Sequence, residues 1–216
     1  MSKYITMYTQ RTSQRTRMSL HQKSIFNLEI INYCLTEIDH KFTEKNIIVD
    51  IGFGNGQQLL FFSENMPDYN FIGIELYKKG IANLINQIKH KNLNNIKIIY
   101  EEATIALQKF FYDKSISKIQ IFFPDPWPKR RHHKRRLIQK EFINIIKNKL
   151  VDSGILHIAT DSDDYANYIK KIMLEFKEFD QPENIQPYLV RTTTKFEKIA
   201  ISSGRTIWEL IFVLKF

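Results

Sequence analysis

Between Phe122 and Arg136 the chain reads Phe-Phe-Pro-Asp-Pro-Trp-Pro-Lys-Arg-Arg-His-His-Lys-Arg-Arg. Asp125 stands between two prolines, Trp127 follows two residues on, and Lys129 to Arg136 carries six Lys or Arg in eight positions. Pro124, Pro126 and Pro128 fix the backbone at alternate positions and bias each preceding residue toward extended conformations, which excludes helix and central strand here. A stiff turn of this kind holds a carboxylate still beside a cationic ledge. The pair suits chemistry on a base of a nucleic acid: the carboxylate orients a ring or steadies developing positive charge, and the cations take phosphates. A proline turn followed by a solvated charge run is the plainer alternative.

Carboxylates recur at other candidate strand ends. Asn46 to Ile51 is a short apolar strand holding Asp50, and it runs directly into Gly52-Phe53-Gly54-Asn55-Gly56 and an apolar helical segment, Leu59 to Phe62. Strand, glycine turn and helix make a cradle in which backbone N–H groups approach a ligand at Gly52, Gly54 and Gly56. The spacing is not the G-x-G-x-x-G of a dinucleotide site. Tyr69 to Ile74 ends in Glu75, which lies 23 residues beyond Gly52 and is suited to both hydroxyls of a ribose. Ile96 to Tyr100 closes with Glu101-Glu102, and Lys118 to Phe123 leads to Asp125. Asp50, Glu75, Glu102 and Asp125 would line one crevice at the carboxyl ends of a doubly wound sheet. Such a trough repels a pyrophosphate cofactor and favours a ligand with an ammonium, a sulfonium and a ribose, S-adenosylmethionine over NAD. Taken singly, each acid could equally cap a helix.

The elements that must position these groups alternate. Ser24 to Ile38 repeats apolar residues at helical spacing, with Cys34 on the same stripe. Ile81, Leu84, Ile85 and Ile88 mark a further helix, as do Thr104 to Phe111, then Ile138 to Leu150 and Tyr165 to Phe176. Gly154 to Ala159 reads as a fifth strand, Tyr188 to Thr192 as a sixth, Thr193 to Gly204 as a polar connection, and Thr206 to Phe216 as a last strand. The order predicts an α/β fold with a doubly wound, mostly parallel seven-stranded sheet and an antiparallel edge hairpin at the C-terminus. Residues 1–23 read as a basic mobile arm and residues 24–216 as one domain.

The chain has 216 residues, a formal charge of +9 and 43% hydrophobic residues. No membrane-length apolar run or secretory leader is seen, which predicts a cytoplasmic protein without membrane association. One cysteine excludes an internal disulfide. Lysine is abundant in a chain rich in Ile and Asn, so arginine is the better guide to a polyanionic partner. Seven of its nine arginines fall in two clusters, Arg11, Arg15 and Arg17, then Arg130, Arg131, Arg135 and Arg136. That concentration predicts contact with nucleic acid. His132 and His133 are adjacent and point apart, and no Cys, His or carboxylate spacing predicts a metal site.

Together Asp50-Ile-Gly-Phe-Gly-Asn-Gly, Gly73-Ile-Glu75, the Pro-Asp-Pro-Trp-Pro block with its basic tail, Ala159-Thr-Asp161 and Thr194-Lys-Phe-Glu197 resemble the bacterial tRNA (guanine-N7-)-methyltransferase family. The resemblance runs from about Asp50 to the C-terminus. It implies a Rossmann-like class I methyltransferase fold and methylation of N7 of guanine 46 in the variable loop of tRNA. Carried over by position, it implies S-adenosylmethionine contacts at Asp50, Glu75, Glu102 and Asp125, with Asp125 also catalytic. Substrate contacts are implied at Lys129, Asp161, Thr194, Lys195, Phe196 and Glu197, and RNA contacts at Arg131, His132, His133, Lys134, Arg135 and Arg136. Two positions depart from the family pattern: Glu102 stands for the usual Asp and Asp50 for the usual Glu. A methyltransferase acting on an exocyclic amine, an NAD-dependent oxidoreductase and a non-catalytic RNA-binding module are the competing readings. A monomer and a homodimer both fit the sequence.

Overall fold

The computed structural model describes residues 17–35, 46–189 and 191–216. Arg11, Arg15 and the connector 39–45 lie outside them, as do the last three positions of the expected first helix, 36–38. Seven strands form a mostly parallel sheet in the order β3-β2-β1-β4-β5-β7-β6. The chain divides into two compact units, the first ending at Phe111 and the second beginning at Tyr112.

In the first unit, β1 (Ile47–Ile51), β2 (Asn70–Ile74) and β3 (Ile96–Ile99) run parallel, β1 beside β2 and β2 beside β3. The residues of β1 are buried throughout, as a strand covered on both faces requires. α1 (Leu20–Tyr33), α2 (Gln57–Asn65), α3 (Lys78–Lys91) and α4 (Ala103–Phe110) complete it. α3 buries Ile81, Leu84, Ile85 and Ile88 from one face, each worth about 1.5–3 kcal/mol. It stops at Asn92 in the left-handed region, with Lys89, His90 and Lys91 facing its negative end.

α1 differs from expectation at both ends. Ser19 and Gln22 form a reciprocal cap, so the helix starts at Leu20, four residues before the expected Ser24. The helix ends at Tyr33, and Cys34 is extended and bridges in parallel to Ile98. Only Phe26 of this helix is fully buried, packing with Ile25, Ile30 and Tyr33 toward the core, whereas Leu28 and Ile31 are 71% and 74% exposed. Their apolar character is therefore spent on the outer face, and burial pushes the half-buried Cys34 thiol up to about 12.

In the second unit, β4 (Ile116–Phe122) and β5 (Leu150–Thr160) are parallel, and β7 (Trp208–Leu214) is antiparallel to β5. β5 begins four residues earlier than expected. Its register against β4 slips between Ile116 and Lys118, where Ser153 takes a φ of 61° beside Gly154. α5 (Lys140–Lys149) and α6 (Asp163–Met173) pack on these strands. The antiparallel edge partner of β7 is β6 (Phe179–Asp180), not the expected Tyr188–Thr192. Gln186–Tyr188 is a short 3-10 turn, and α7 (Lys195–Ser202) occupies most of the segment expected to be a polar connection. Among the described residues no helix is long and apolar enough to cross a membrane.

Candidate active site

The first unit carries the glycine cradle. Asp50, 3% exposed, is the penultimate residue of β1, and the turn after it places Gly52, Gly54 and Gly56 at φ of 77°, 58° and 75°. Glu75 at the end of β2 fastens that turn: its Oε2 accepts from the Gly54 amide at 2.9 Å and its Oε1 from the amides of Leu76 and Tyr77 at 2.7 and 3.0 Å. Behind the turn packing is tight, since a Cβ on Gly80 of α3 would lie 1.9 Å from the Gly54 carbonyl oxygen. Ahead of it lies space, because a Cβ on Gly52 or Gly54 would meet nothing within 4 Å. A backbone edge that is open, flexible in type and bordered by carboxylates fits a donor bearing an ammonium and a ribose.

Glu102 is more committed than its position suggested. It caps α4, with Oε2 accepting from the amides of Thr104 and Ile105 at 2.9 and 3.2 Å and Oε1 from the Thr104 hydroxyl at 3.1 Å. The helix-cap alternative that was open for each acid holds at this position.

The second unit carries the proline turn. Asp125 is exposed, and the turn is framed by two bulky residues in the left-handed region, Phe123 at φ 53° and Trp127 at φ 44°. Such conformations cost roughly 1–3 kcal/mol each and concentrate at functional sites. The indole of Trp127 packs within its own segment, edge-on to His132 at 5.8 Å and under the Arg135 guanidinium at 5.1 Å. Lys129 precedes a 3-10 turn, Arg130–Arg135; Lys129, Arg130, Arg131 and Lys134 are exposed, with His132, His133 and Arg135 partly so. Arg17 is exposed as well. Arg136 is different: it is 2% exposed, and a guanidinium buried that completely has no face for a phosphate. The expected RNA contact at Arg136 is corrected on that ground.

Asp161 ends β5's turn into α6, but the cap of α6 is Ser162, whose hydroxyl accepts from the Tyr165 amide at 3.3 Å. The Asp161 carboxylate instead accepts from Arg205. Thr194 and Glu197 form a reciprocal cap at the start of α7, where Lys195 and Phe196 are the first two helical positions. Arg191 grips Glu197 with two bonds of 2.5 and 2.9 Å and holds Glu209 of β7 through Nε at 2.9 Å. Glu209 in turn takes His157 Nε2 at 2.7 Å, and Arg191 lies 5.4 Å from the Phe122 ring centre. The Thr194–Glu197 segment is thus set in place from beneath. Arg191, Glu209, His157 and Arg205 were missed from sequence, since isolated charges carry no spacing signal. The T-x-x-E cap was a readable one.

His157 is wholly buried, and burial holds its imidazole below its ordinary value of 6.5 against the opposing hydrogen bond to Glu209, with Lys118 and Arg191 adding to the depression. Burial pushes Glu209 up, yet the bonds from His157 and Arg191 outweigh it and leave the carboxylate below its ordinary 4.5. For both groups the unfolded chain binds the proton more readily, so both contributions are present at high pH and lost on acidification. Stability should start to fall as the pH drops through about 6.5, by up to about 1.4 kcal/mol per unit from His157, with a further loss below about 4.5. Urea midpoints measured from pH 8 to 5 check this, and His157→Gln should flatten the upper limb. An unchanged limb in that variant would assign the decline to other groups.

Among the described residues no cluster of three or more His, Cys, Asp or Glu side chains gathers as metal ligands would.

A family model described as putative methyltransferase matches residues 44–210. A tRNA (guanine-N(7)-)-methyltransferase of Buchnera aphidicola subsp. Acyrthosiphon pisum is 45% identical over 173 residues, 78% of this chain and 72% of that protein. Proteins of the same name from Nitrosococcus oceani and Legionella pneumophila are 42% and 37% identical, the matches covering 76% and 80% of this chain and 70% and 78% of theirs. Among solved structures the 16S rRNA methyltransferase KamB has a similar fold, with a TM-score of 0.59 at 9% identity over 83% of this chain and 95% of that one. The sequence relatives share more than the fold, and on them the chain belongs to the tRNA (guanine-N(7)-)-methyltransferase family.

Proposed function

We propose that this protein transfers the methyl group of S-adenosylmethionine to N7 of guanine 46 in the variable loop of tRNA. The observation that carries the reading is the strained proline turn, which presents an exposed Asp125 directly ahead of a row of exposed cations. S-adenosylmethionine, when bound, supplies a methyl group on a sulfonium.

Guanine N7 offers an in-plane lone pair and no proton, so no residue of this chain has to act as a base. As the N–C bond forms and the S–C bond breaks, positive charge moves onto the purine. Asp125 orients the guanine and steadies that charge, and holding the reactants in line supplies much of the acceleration. Asp50, Gly52, Gly54, Gly56, Glu75 and Asp125 are assigned to the donor, and Glu102 keeps its place as the cap of α4. Lys129, Asp161 and Thr194 to Glu197 hold the guanine. Arg131, His132, His133, Lys134 and Arg135 take tRNA phosphates, as do Arg11, Arg15 and Arg17. The reaction is assigned to the cytoplasm, and one chain carries every residue it uses.

Labelled S-adenosylmethionine incubated with tRNA transcripts, followed by chain cleavage at 7-methylguanosine, tests the reading. Cleavage at position 46 is expected; label on an exocyclic amine or elsewhere would overturn it. The phosphate contacts have their own signature. Removing Arg131 or Lys134 should weaken binding across tRNAs and lower the slope of log affinity against log salt by about 1 each. A slope unchanged after both substitutions would refute the assignment.

A further inference from the structure

The basic segment hides one member that does not belong to its surface. Arg136 ends it, and its side chain is wholly buried while Arg130 and Arg131 are exposed. Its Nε donates to the Pro126 carbonyl oxygen at 2.9 Å, its Nη2 reaches Asp164 in the first turn of α6, and the same Nη2 lies 3.1 Å from His133 Nε2. The guanidinium carbon sits 4.9 and 4.8 Å from the ring centres of Tyr165 and Tyr168 on α6. The backbone around it is tied down too. Gln139 donates to the carbonyls of His133 and Arg136 at 3.0 and 3.1 Å and accepts from the Tyr168 hydroxyl at 2.7 Å.

We propose that Arg136 is a positioning residue for methyl transfer, holding the Pro126 carbonyl and so fixing Asp125 and Trp127 on either side of it. The inference rests on the function proposed above for Asp125. Left-handed conformations at Phe123 and Trp127 persist only where surrounding contacts over-determine them. The bond to Pro126 joins the turn between those two residues to α6. Only a planar, multi-donor cation fills the post, because it must donate to a carbonyl, pair with a carboxylate and stack on two rings at once. A lysine supplies a point charge and cannot do all three.

Arg136→Lys is therefore expected to slow single-turnover methylation about tenfold to a hundredfold at saturating tRNA and S-adenosylmethionine, the scale of a small misplacement of reacting groups. The affinity for tRNA and its salt slope should stay as in the parent. Arg131→Ala, a phosphate contact, should by contrast lose affinity and lower the slope. In a Trp208→Phe background the emission of Trp127 should shift to the red in Arg136→Lys as the turn loosens, a readout that needs no substrate. Asp164→Asn, on a side chain 64% exposed, is the gentler variant if Arg136→Lys does not fold, and it should move rate and emission in the same sense. A lower salt slope with the saturated rate kept would make Arg136 a phosphate contact and overturn the proposal, as would unchanged rate and emission in both variants. A parent protein that forms no 7-methylguanosine would instead overturn the function on which the proposal rests.

Discussion

Replacing Asp125 with alanine is expected to lower the single-turnover rate of methyl transfer by about a hundredfold to a thousandfold, the loss seen when one preorganised electrostatic group is taken from a transition state. The carboxylate is exposed at the tip of a turn whose flanking residues are held at φ 53° and 44°, so the backbone that carries it is held in place. Its charge matters more than its basicity, because guanine N7 carries no proton to remove. Asp125→Asn separates the two. It retains shape and an acceptor oxygen, and it should lose most of the rate without rescue by small exogenous bases such as bicarbonate. Rescue would mean proton abstraction and sink the electrostatic account, and an Asp125→Asn protein at the parental rate would remove Asp125 from the mechanism.

Gly80→Ala is the second large effect, and Gly52→Ala is its control. A Cβ on Gly80 would stand 1.9 Å from the Gly54 carbonyl oxygen and 2.7 Å from the Tyr77 ring, and the carbonyl belongs to backbone that cannot swing aside. α3 and the glycine turn must part. The expected cost is about 3 kcal/mol, the upper end of overpacking, with a large fall in S-adenosylmethionine affinity because the cradle itself moves. At Gly52 the added methyl meets no protein atom within 4 Å, and only the φ of 77° opposes it. That strain is about 1–2 kcal/mol. Donor affinity should nevertheless fall by tenfold or more, since the methyl enters the space assigned to the ligand. Urea unfolding and calorimetric titration of the donor, run on both variants, check the contrast. Undiminished donor affinity in Gly52→Ala would show that the ligand lies elsewhere.

The structural contrast between the two glycines was not legible from their spacing. G-x-G-x-G after an apolar strand announces a cradle, but nothing local to Gly80 says that another turn's carbonyl will press on it. The same holds for the charges. Asp161 and Ser162 are adjacent, and sequence offers either as the cap of α6. The fold chose Ser162 and gave Asp161 to Arg205, 44 residues away. Glu102 went the other way and capped its own helix.

Periodicity of apolar residues and the placing of prolines and glycines are local properties. They were enough to determine the alternation of strands and helices, the rigid turn around Asp125 and the glycine cradle, and a dense basic run pointed to a polyanionic partner. Burial is not local. Arg135 and Arg136 are neighbours of one residue type, yet one lies over Trp127 near the surface while the other is enclosed by Pro126, Asp164, Tyr165 and Tyr168. Arg191, Glu209 and His157 likewise became a single network only when β5, β7 and the segment before α7 came together. Which charges face solvent and which brace the site depends on what distant segments bring to them, and that was decided by the tertiary structure.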